Sequence, residues 1–350
     1  MQGQRTQDGP DSADPIIEVR NVSVTYDLEH RDAMVLDDVS IDLRRGEILG
    51  VVGESGSGKS MLANAMMDAV EEPGITTGSV RYYPEDGEPV DILDLQPDEL
   101  KKFRWEEVSM VFQGALSSFN PTMSIRGHFE ETLEAHDYDV EEGMERARQL
   151  LSDLYLNPDR VLDSYAHELS GGMSQRALIA LSLVLEPRVL LMDEPTAALD
   201  LLMQRSILSL LADIKEKYDL TILFITHDLP LVAGLSDRLA ILYAFELAEV
   251  GRSEQIAHNS KHPYTRALLQ AVPNLDAPTE SMRPIEGTAP NPAHVPDGCH
   301  YAPRCPLATR ECHEEKPPWI DVDDDHRSAC FHYDEADDAV PFDLTEVNDA

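Results

Sequence analysis

The chain has 350 residues, 42% of them hydrophobic, enough to bury one large core plus a smaller module or two ordinary domains. Its 66 Asp and Glu outnumber 28 Lys and Arg, for a net charge of −38; this repels polyanions and speaks against a nucleic-acid partner, while its spread along the whole chain fits a salt-rich cytosol such as that of a halophilic archaeon. No apolar run reaches the roughly 18 residues of a membrane helix; the longest, 177–185, is broken by Ser182, and the polar start Met1-Gln2-Gly3-Gln4 has no apolar signal region, so a cytoplasmic protein is expected.

Residues 1–15 are polar and read as disordered. From Ile16 to Leu43 the apolar residues alternate (Val19, Val22, Val24, then Val39, Ile41, Leu43), which predicts an antiparallel sheet. A buried strand at 47–52 then runs into Gly53-Glu54-Ser55-Gly56-Ser57-Gly58-Lys59-Ser60, and a helical pattern follows through Met66. Every constrained position of G-x-x-x-x-G-K-S is filled, with a strand before it and a helix after it. Such a loop binds nucleoside triphosphate because its glycines let backbone N–H groups crowd round the phosphates at a positive helix end. Lys59 neutralises phosphate charge, and the Ser60 hydroxyl can ligate Mg²⁺.

Residues 100–165 are charged, helical in pattern and poor in β-branched runs, as expected of a helical insertion. Leu169-Ser170-Gly171-Gly172-Met173 starts a further apolar helix; Ser170 suits the N-cap, and the two glycines expose N–H groups at its positive end. Next, Val189-Leu190-Leu191-Met192 is a buried strand ending in Asp193-Glu194. Carboxylates at the carboxyl end of a parallel strand sit in the sheet's ligand crevice, where Asp193 can hold Mg²⁺ through water and Glu194 can polarise an attacking water. A helix over 200–217 and strands at 221–225 and 241–243 complete a parallel α/β pattern. Beyond 260 proline density rises and all four cysteines appear, spaced C-x₅-C-x₆-C-x₁₇-C at 299, 305, 312 and 330; from Asp334 the chain reads as a solvated acidic tail.

These segments together resemble the ATP-binding subunits of ABC transporters over residues 16–330. The resemblance implies a P-loop cassette at 16–260, with an antiparallel subdomain and a helical subdomain at about 100–165, followed by an extension at 261–333 and the tail at 334–350. It further implies a head-to-tail dimer in which Ser170, Gly171 and Gly172 complete the partner's ATP site. Gln113 of Val111-Phe112-Gln113 matches the glutamine that senses Mg²⁺ and water. His227 of Thr226-His227-Asp228 matches the γ-phosphate histidine, Asp200 of Ala198-Leu199-Asp200 the loop crossing the dimer interface, and Tyr26 the aromatic that stacks on adenine, though a strand tyrosine also serves for packing. Met173 stands where many members have glutamine.

Residues 112–121, 170–176 and His262-Pro263-Tyr264-Thr265-Arg266-Ala267-Leu268-Leu269 are similar to the dipeptide, oligopeptide and nickel importer branch. That branch pairs two different ATPase subunits with two permeases and an external solute-binding protein, and its ATPases lie on the cytoplasmic side of the plasma membrane. A homodimer stays open, as does the solute. A non-transport ABC ATPase, such as one serving iron–sulfur assembly, is the rival; it has no need of residues 262–269.

Four thiolates suit a metal in a reducing cytosol, where disulfides are disfavoured. Residues 298–306 resemble the C-terminal extension of peptide-importer ATPases, some of which are reported to hold a [4Fe–4S] cluster; a cluster, zinc and free thiols all remain open for Cys299, Cys305, Cys312 and Cys330. His300 and His313 are taken as bystanders, and Trp319 is expected to pack the extension on the cassette. The nucleotide site, at 53–60, 170–172 and 193–194, is expected to stand apart from the cysteines.

Overall fold

The computed structural model describes residues 14–28, 31–197, 199–271 and 285–341. Of residues 1–15, expected to be disordered, 1–13 lie outside them, as do the tail beyond 341 and Ala198, while Pro15 already begins the first strand. Strands β1 (Pro15–Leu28) and β2 (Arg31–Arg44) form the expected antiparallel pair and lead into β3 (Ile48–Val52), the phosphate loop and α1 (Lys59–Met66). β4 (Gly74–Tyr82) and β5 (Val90–Asp91) extend that pair into a sheet of order β2-β1-β4-β5. After α2 (Pro97–Lys102) comes β6 (Val108–Val111), a strand of the other sheet.

The helical insertion therefore begins later than 100. It is built from α3 (Ala115–Ser118), α4 (Ile125–Ala135), α5 (Val140–Asp153) and α6 (Pro158–Leu162), and leads into α7 (Gly171–Ser182). The short, wholly buried Val108-Ser109-Met110-Val111 has no alternation to mark it as a strand within a charged stretch.

The core then alternates through β7 (Val189–Asp193), α8 (Leu201–Tyr218), β8 (Thr221–Thr226), α9 (Leu229–Ala233) and β9 (Arg238–Tyr243), and turns back along β10 (Glu246–Arg252). Within the central sheet β9, β3, β8, β7 and β6 run parallel in that order. Its interior strands are buried on both faces, and side chains divide with period two. Ile48, Leu190, Met192, Ile222 and Phe224 join a core shared with the helices. Leu49, Val51, Leu191, Leu223 and Ile225 join a second core under α1 and the antiparallel sheet. Helices α4 to α9 each start on Ser, Asn or Asp, whose side-chain oxygen accepts a first-turn N–H that the helix leaves unpaired.

The C-terminal region does not form a module apart. After α10 (Ser253–Asn259), α11 (Pro263–Gln270) and α12 (Arg310–Glu314), strands β11 (Ile320–Asp323) and β12 (His326–Ser328) add to the central sheet through β10. Glu249 of β10 is fully buried and accepts bonds from the His262 N–H at 3.1 Å and from His326 Nε2 at 2.8 Å, tying strand, helix start and added strand together. The solvated tail expected from Asp334 is also corrected. α13 (Ala336–Ala339) is seated on the protein, with Ala336 buried and Asp337 paired to Lys261 and Arg266 at 2.5 and 2.7 Å. Two buried-side cations recruit this acidic segment; composition alone carries no trace of them.

Candidate functional site: the phosphate loop and its carboxylates

The phosphate loop lies between the carboxyl end of β3 and the start of α1. Gly53 has no room for a side chain: a Cβ there would lie 2.0 Å from the Leu242 carbonyl oxygen. Gly58 takes φ +105° with the Val35 carbonyl against it, so glycine is required both for space and for backbone conformation. Lys59 Nζ donates to the carbonyls of Gly53 at 2.8 Å and Glu54 at 2.9 Å, which holds the ammonium over the loop. Burial pulls the lysine below its ordinary pKa, while the charges of Glu194, Asp193 and Glu54 oppose this. A phosphate arriving there meets a cation already stripped of much of its water.

Asp193 ends β7 in a buried position, and its Oδ1 has no hydrogen-bond partner. Burial holds its carboxyl above the usual range, against a hydrogen bond with Ser60. Ser60 and Asp193, the two expected Mg²⁺ contacts, thus already meet. An orphaned, buried carboxylate oxygen is what a hydrated cation would satisfy.

Glu194 adopts φ +45°, which turns its side chain out of the strand line. Gln113 Nε2 donates to Glu194 Oε2 at 3.0 Å, and His227 Nδ1 lies 3.1 Å from Glu194 Oε1. Residues from three separate strand ends converge here on one carboxylate. Glu194 is largely buried and His227 is exposed, so the group opens outward from the sheet.

The remaining expected positions are more distant in role. Ser170 caps α7, accepting from the Met173 N–H at 3.4 Å, and Gly172 lies where a Cβ would strike the Met203 methyl carbon at 2.0 Å. Asp200 caps α8, accepting from the N–H groups of Leu202 and Met203 at 3.1 and 3.0 Å. Both have a local reason to be there, and neither touches the chain's own Gln113–Glu194–His227 group in any contact described. Leu201 and Leu202 beside Asp200 are 73% and 80% exposed, a large apolar cost for a surface with nothing on it. Tyr26 packs over Gly74 and pairs across β1 and β2 with Ala33, which lies two residues along β2 from Val35, whose carbonyl abuts Gly58.

The four cysteines line one cavity, together with His262, Tyr301, Leu307 and Phe331. Burial pushes Cys299 and Cys305 up to about 11 and Cys330 up to about 12, and their mutual charges add to it. Among the described residues, the cysteine sulfurs do not gather within the 4.8 Å that brings Asp37, Glu246 and His300 together. Thiolates about 2.3 Å from a single tetrahedral zinc would do so. His300 is not a loose bystander: its Nδ1 lies 2.6 Å from the Ala244 carbonyl and 3.2 Å from Glu246. The cation between Asp37 and Glu246 is the Lys316 ammonium. Trp319 is 37% exposed and carries the Arg327 guanidinium over its ring at 5.2 Å, so it caps the added strands and is only partly covered.

A part of the site that sequence reasoning missed comes from the C-terminal region. Tyr264 and Arg304 both reach Glu54 of the phosphate loop. Tyr264 lies within a segment singled out only by resemblance, and Arg304 between two cysteines; neither carries a local signal for a phosphate site.

With this geometry in place, the family description "ABC transporter" matches residues 36–197, and "Oligopeptide/dipeptide transporter, C-terminal region" matches 248–312. The chain is 40% identical over 323 residues to the dipeptide transport ATP-binding protein DppD of Caldanaerobacter subterraneus subsp. tengcongensis, covering 91% of this chain and 98% of that protein. It belongs to the family of ATP-binding subunits of dipeptide and oligopeptide ABC transporters. It is an ABC ATPase coupled to transport. The oligopeptide transport ATP-binding protein OppD of Escherichia coli K12 is 38% identical over 321 residues, 91% of this chain and 94% of that one. The solved dimeric ATP-binding cassette in a post-hydrolysis state bound to ADP and Pi superposes with a TM-score of 0.59 at 28% identity, over 68% of this chain and 98% of that one. None of the helices of the described residues is long and apolar enough to cross a membrane.

Proposed function

We propose that this family member works as one of two ATPase subunits beneath a peptide permease pair on the cytoplasmic side of the plasma membrane, served by an external solute-binding protein. The convergence of Gln113 and His227 on Glu194 beside Lys59 carries the assignment of the hydrolytic centre. Mg²⁺–ATP is the substrate: the loop amides of Gly53 to Gly58 and Lys59 take the phosphates, Ser60 and Asp193 take the cation, and Tyr26 takes the adenine. Glu194 accepts a proton from water as that water attacks the γ-phosphorus and the bond to the bridging oxygen breaks; His227 steadies the γ-phosphate. Ser170, Gly171 and Gly172 serve the other subunit's nucleotide. The exposed Leu201 and Leu202 beside Asp200 suit the surface that such a head-to-tail dimer covers. Closure then follows from tighter binding of ATP than of ADP by the closed state.

For the cysteines a [4Fe–4S] cluster is favoured over zinc; what supports a shared group is that all four line one cavity. Cys299, Cys305, Cys312 and Cys330 would hold it. Such a group supplies cross-linking of the C-terminal region and one-electron chemistry. Anaerobically purified protein should absorb broadly in the visible and contain iron and sulfide. Stoichiometric zinc without iron refutes the cluster; four freely alkylated thiols refute any metal there. The transport assignment is tested by purifying the tagged chain from its own membranes. Two multi-spanning subunits should accompany it, and hydrolysis should rise when peptide-loaded binding protein is added; a complex with no membrane subunit overturns it.

A further inference from the structure

The nucleotide site, expected to stand apart from the cysteines, is tied to the C-terminal region at Glu54, the second residue of the phosphate loop. Its backbone N–H donates to Tyr264 Oη at 3.0 Å, and its carboxylate Oε2 accepts from Arg304 Nη1 at 3.0 Å. Its carbonyl, with that of Gly53, holds Lys59. Two of these three ties come from 210 and 250 residues further along the chain. Neither is a casual surface contact. Tyr264 is wholly buried in the first turn of α11, with its ring 4.4 Å from that of Tyr243 and 5.4 Å from that of Tyr301. The Arg304 side chain is 6% exposed. Its Nη1 also donates to Tyr243 Oη at 3.1 Å and its Nε to the Glu286 carbonyl at 2.8 Å, so the fork has one geometry. Burial works against the guanidinium charge, yet the bonds to Glu54 and Tyr243 outweigh it and hold Arg304 above its ordinary pKa.

We propose that Arg304 and Tyr264 are positioning residues for ATP, fixing Glu54 so that the phosphate loop stands ready to receive the nucleotide. A loop whose amides must converge on phosphate loses affinity if it has to be ordered on binding. Glu54 is the residue through which that order is imposed, since the same backbone unit carries the Tyr264 bond on one side and the Lys59 bond on the other. Arg304 stands on the turn between Cys299 and Cys305 (Ala302–Arg304), so the conformation of the cysteine turn is passed to the loop by a single guanidinium. The proposal rests on the phosphate loop being the ATP site, which loss of ATP binding in Lys59→Ala tests separately.

The test is a fluorescence titration of the full-length chain with an ATP analogue and Mg²⁺, alongside hydrolysis by the assembled transporter. Tyr264→Phe removes one oxygen and keeps the ring stack; Arg304→Met and Glu54→Gln remove the ion pair from either side. Each should weaken ATP about tenfold, the loss of one buried or charge-assisted hydrogen bond, with ADP weakened in parallel and KM for ATP raised by more than kcat is lowered. Arg304→Lys should recover part of the affinity. The double variant Glu54→Gln with Arg304→Met should be no weaker than either single one, because both break the same contact. Arg310→Ala, an exposed change in the same region, should bind ATP as the unaltered chain does. Should Arg304→Met fail to fold, Tyr264→Phe and Glu54→Gln carry the test. Unchanged affinity in these two, multiplying losses in the double variant, or an equal loss in Arg310→Ala would each overturn the proposal.

Discussion

Glu194 accepts two hydrogen-bonding partners and sits at a backbone position with positive φ, so its carboxylate is held where a water could be polarised rather than left to rotate. Glu194→Gln preserves the shape and can still bond Gln113 and His227, but an amide is no base. Hydrolysis should fall by about 10²–10⁴-fold while ATP still binds; turnover within twofold of normal, in the assembled transporter, would remove Glu194 from the chemistry. Lys59→Ala acts on the other half of the site. It removes a charge-assisted phosphate contact and also frees the Gly53 and Glu54 carbonyls that Lys59 bridges. Calorimetry should show ATP affinity falling at least tenfold, on the order of 1.4 kcal/mol or more. These residues were legible in the sequence because each lies in a short pattern whose neighbours fix its place: a strand before the loop, an apolar strand ending in Asp193-Glu194. Arg304 and Tyr264 were not, because what gives them their role is an approach across hundreds of residues.

At the scale of elements, the same distinction separates the cassette from its C-terminal strands. The buried parallel strands announce themselves as apolar runs, and their order follows from the loop and the carboxylates at their ends. β11 is short, half-exposed and acidic, β12 is only His326-Arg327-Ser328, and the pairing of β11 to β12 and of β12 to β10, with the buried Glu249–His326 contact, is what makes them part of the sheet. Beside them, the Asp37–Glu246–Lys316 group fastens β2 and β10 to residue 316. Burial pushes Glu246 from 4.5 up to about 7, with Lys316 opposing and Asp37 reinforcing the shift. A carboxyl raised on folding contributes stability that is present below its unfolded pKa and is lost as pH rises through its folded pKa. The window for Glu246 is therefore pH 4.5 to about 7. At the scale of about 1.4 kcal/mol per pKa unit, the loss is on the order of 3 kcal/mol. Denaturant unfolding at fixed high salt should show the difference between the unaltered chain and Glu246→Gln shrinking or reversing across that window. A difference that stays constant from pH 5 to 8 would mean Glu246 does not titrate there.

For the whole molecule, the arithmetic of charge is decisive: 66 carboxylates against 28 Lys and Arg leave 38 without a basic side chain to offset them. The described ion pairs use cations twice over, as Arg20, Lys316 and Arg238 each face two acids, so the surplus is greater locally than the total suggests. How well the fold bears this surplus should depend on how far the repulsion is screened. At 0.01 M salt the Debye length is about 30 Å, comparable with a domain, and every surface carboxylate opposes the others; at 1 M it is about 3 Å and the repulsion is confined to immediate neighbours. The docked acidic segment at α13 sharpens the point. Asp337 is held by Lys261 and Arg266, but Asp334, Glu335 and Asp338 come with it onto a surface that is already negative. We therefore expect the thermal midpoint to rise steeply between dilute and about 0.3 M KCl as screening sets in. A further rise toward molar salt would mark hydration of the carboxylate surface, since by then screening is nearly complete. Protease cleavage near residue 334 should be fastest in dilute buffer, where the repulsion on α13 is greatest. A midpoint that is flat from dilute to molar KCl would show that the surface charge has no bearing on stability and would separate the composition from any salt-rich environment.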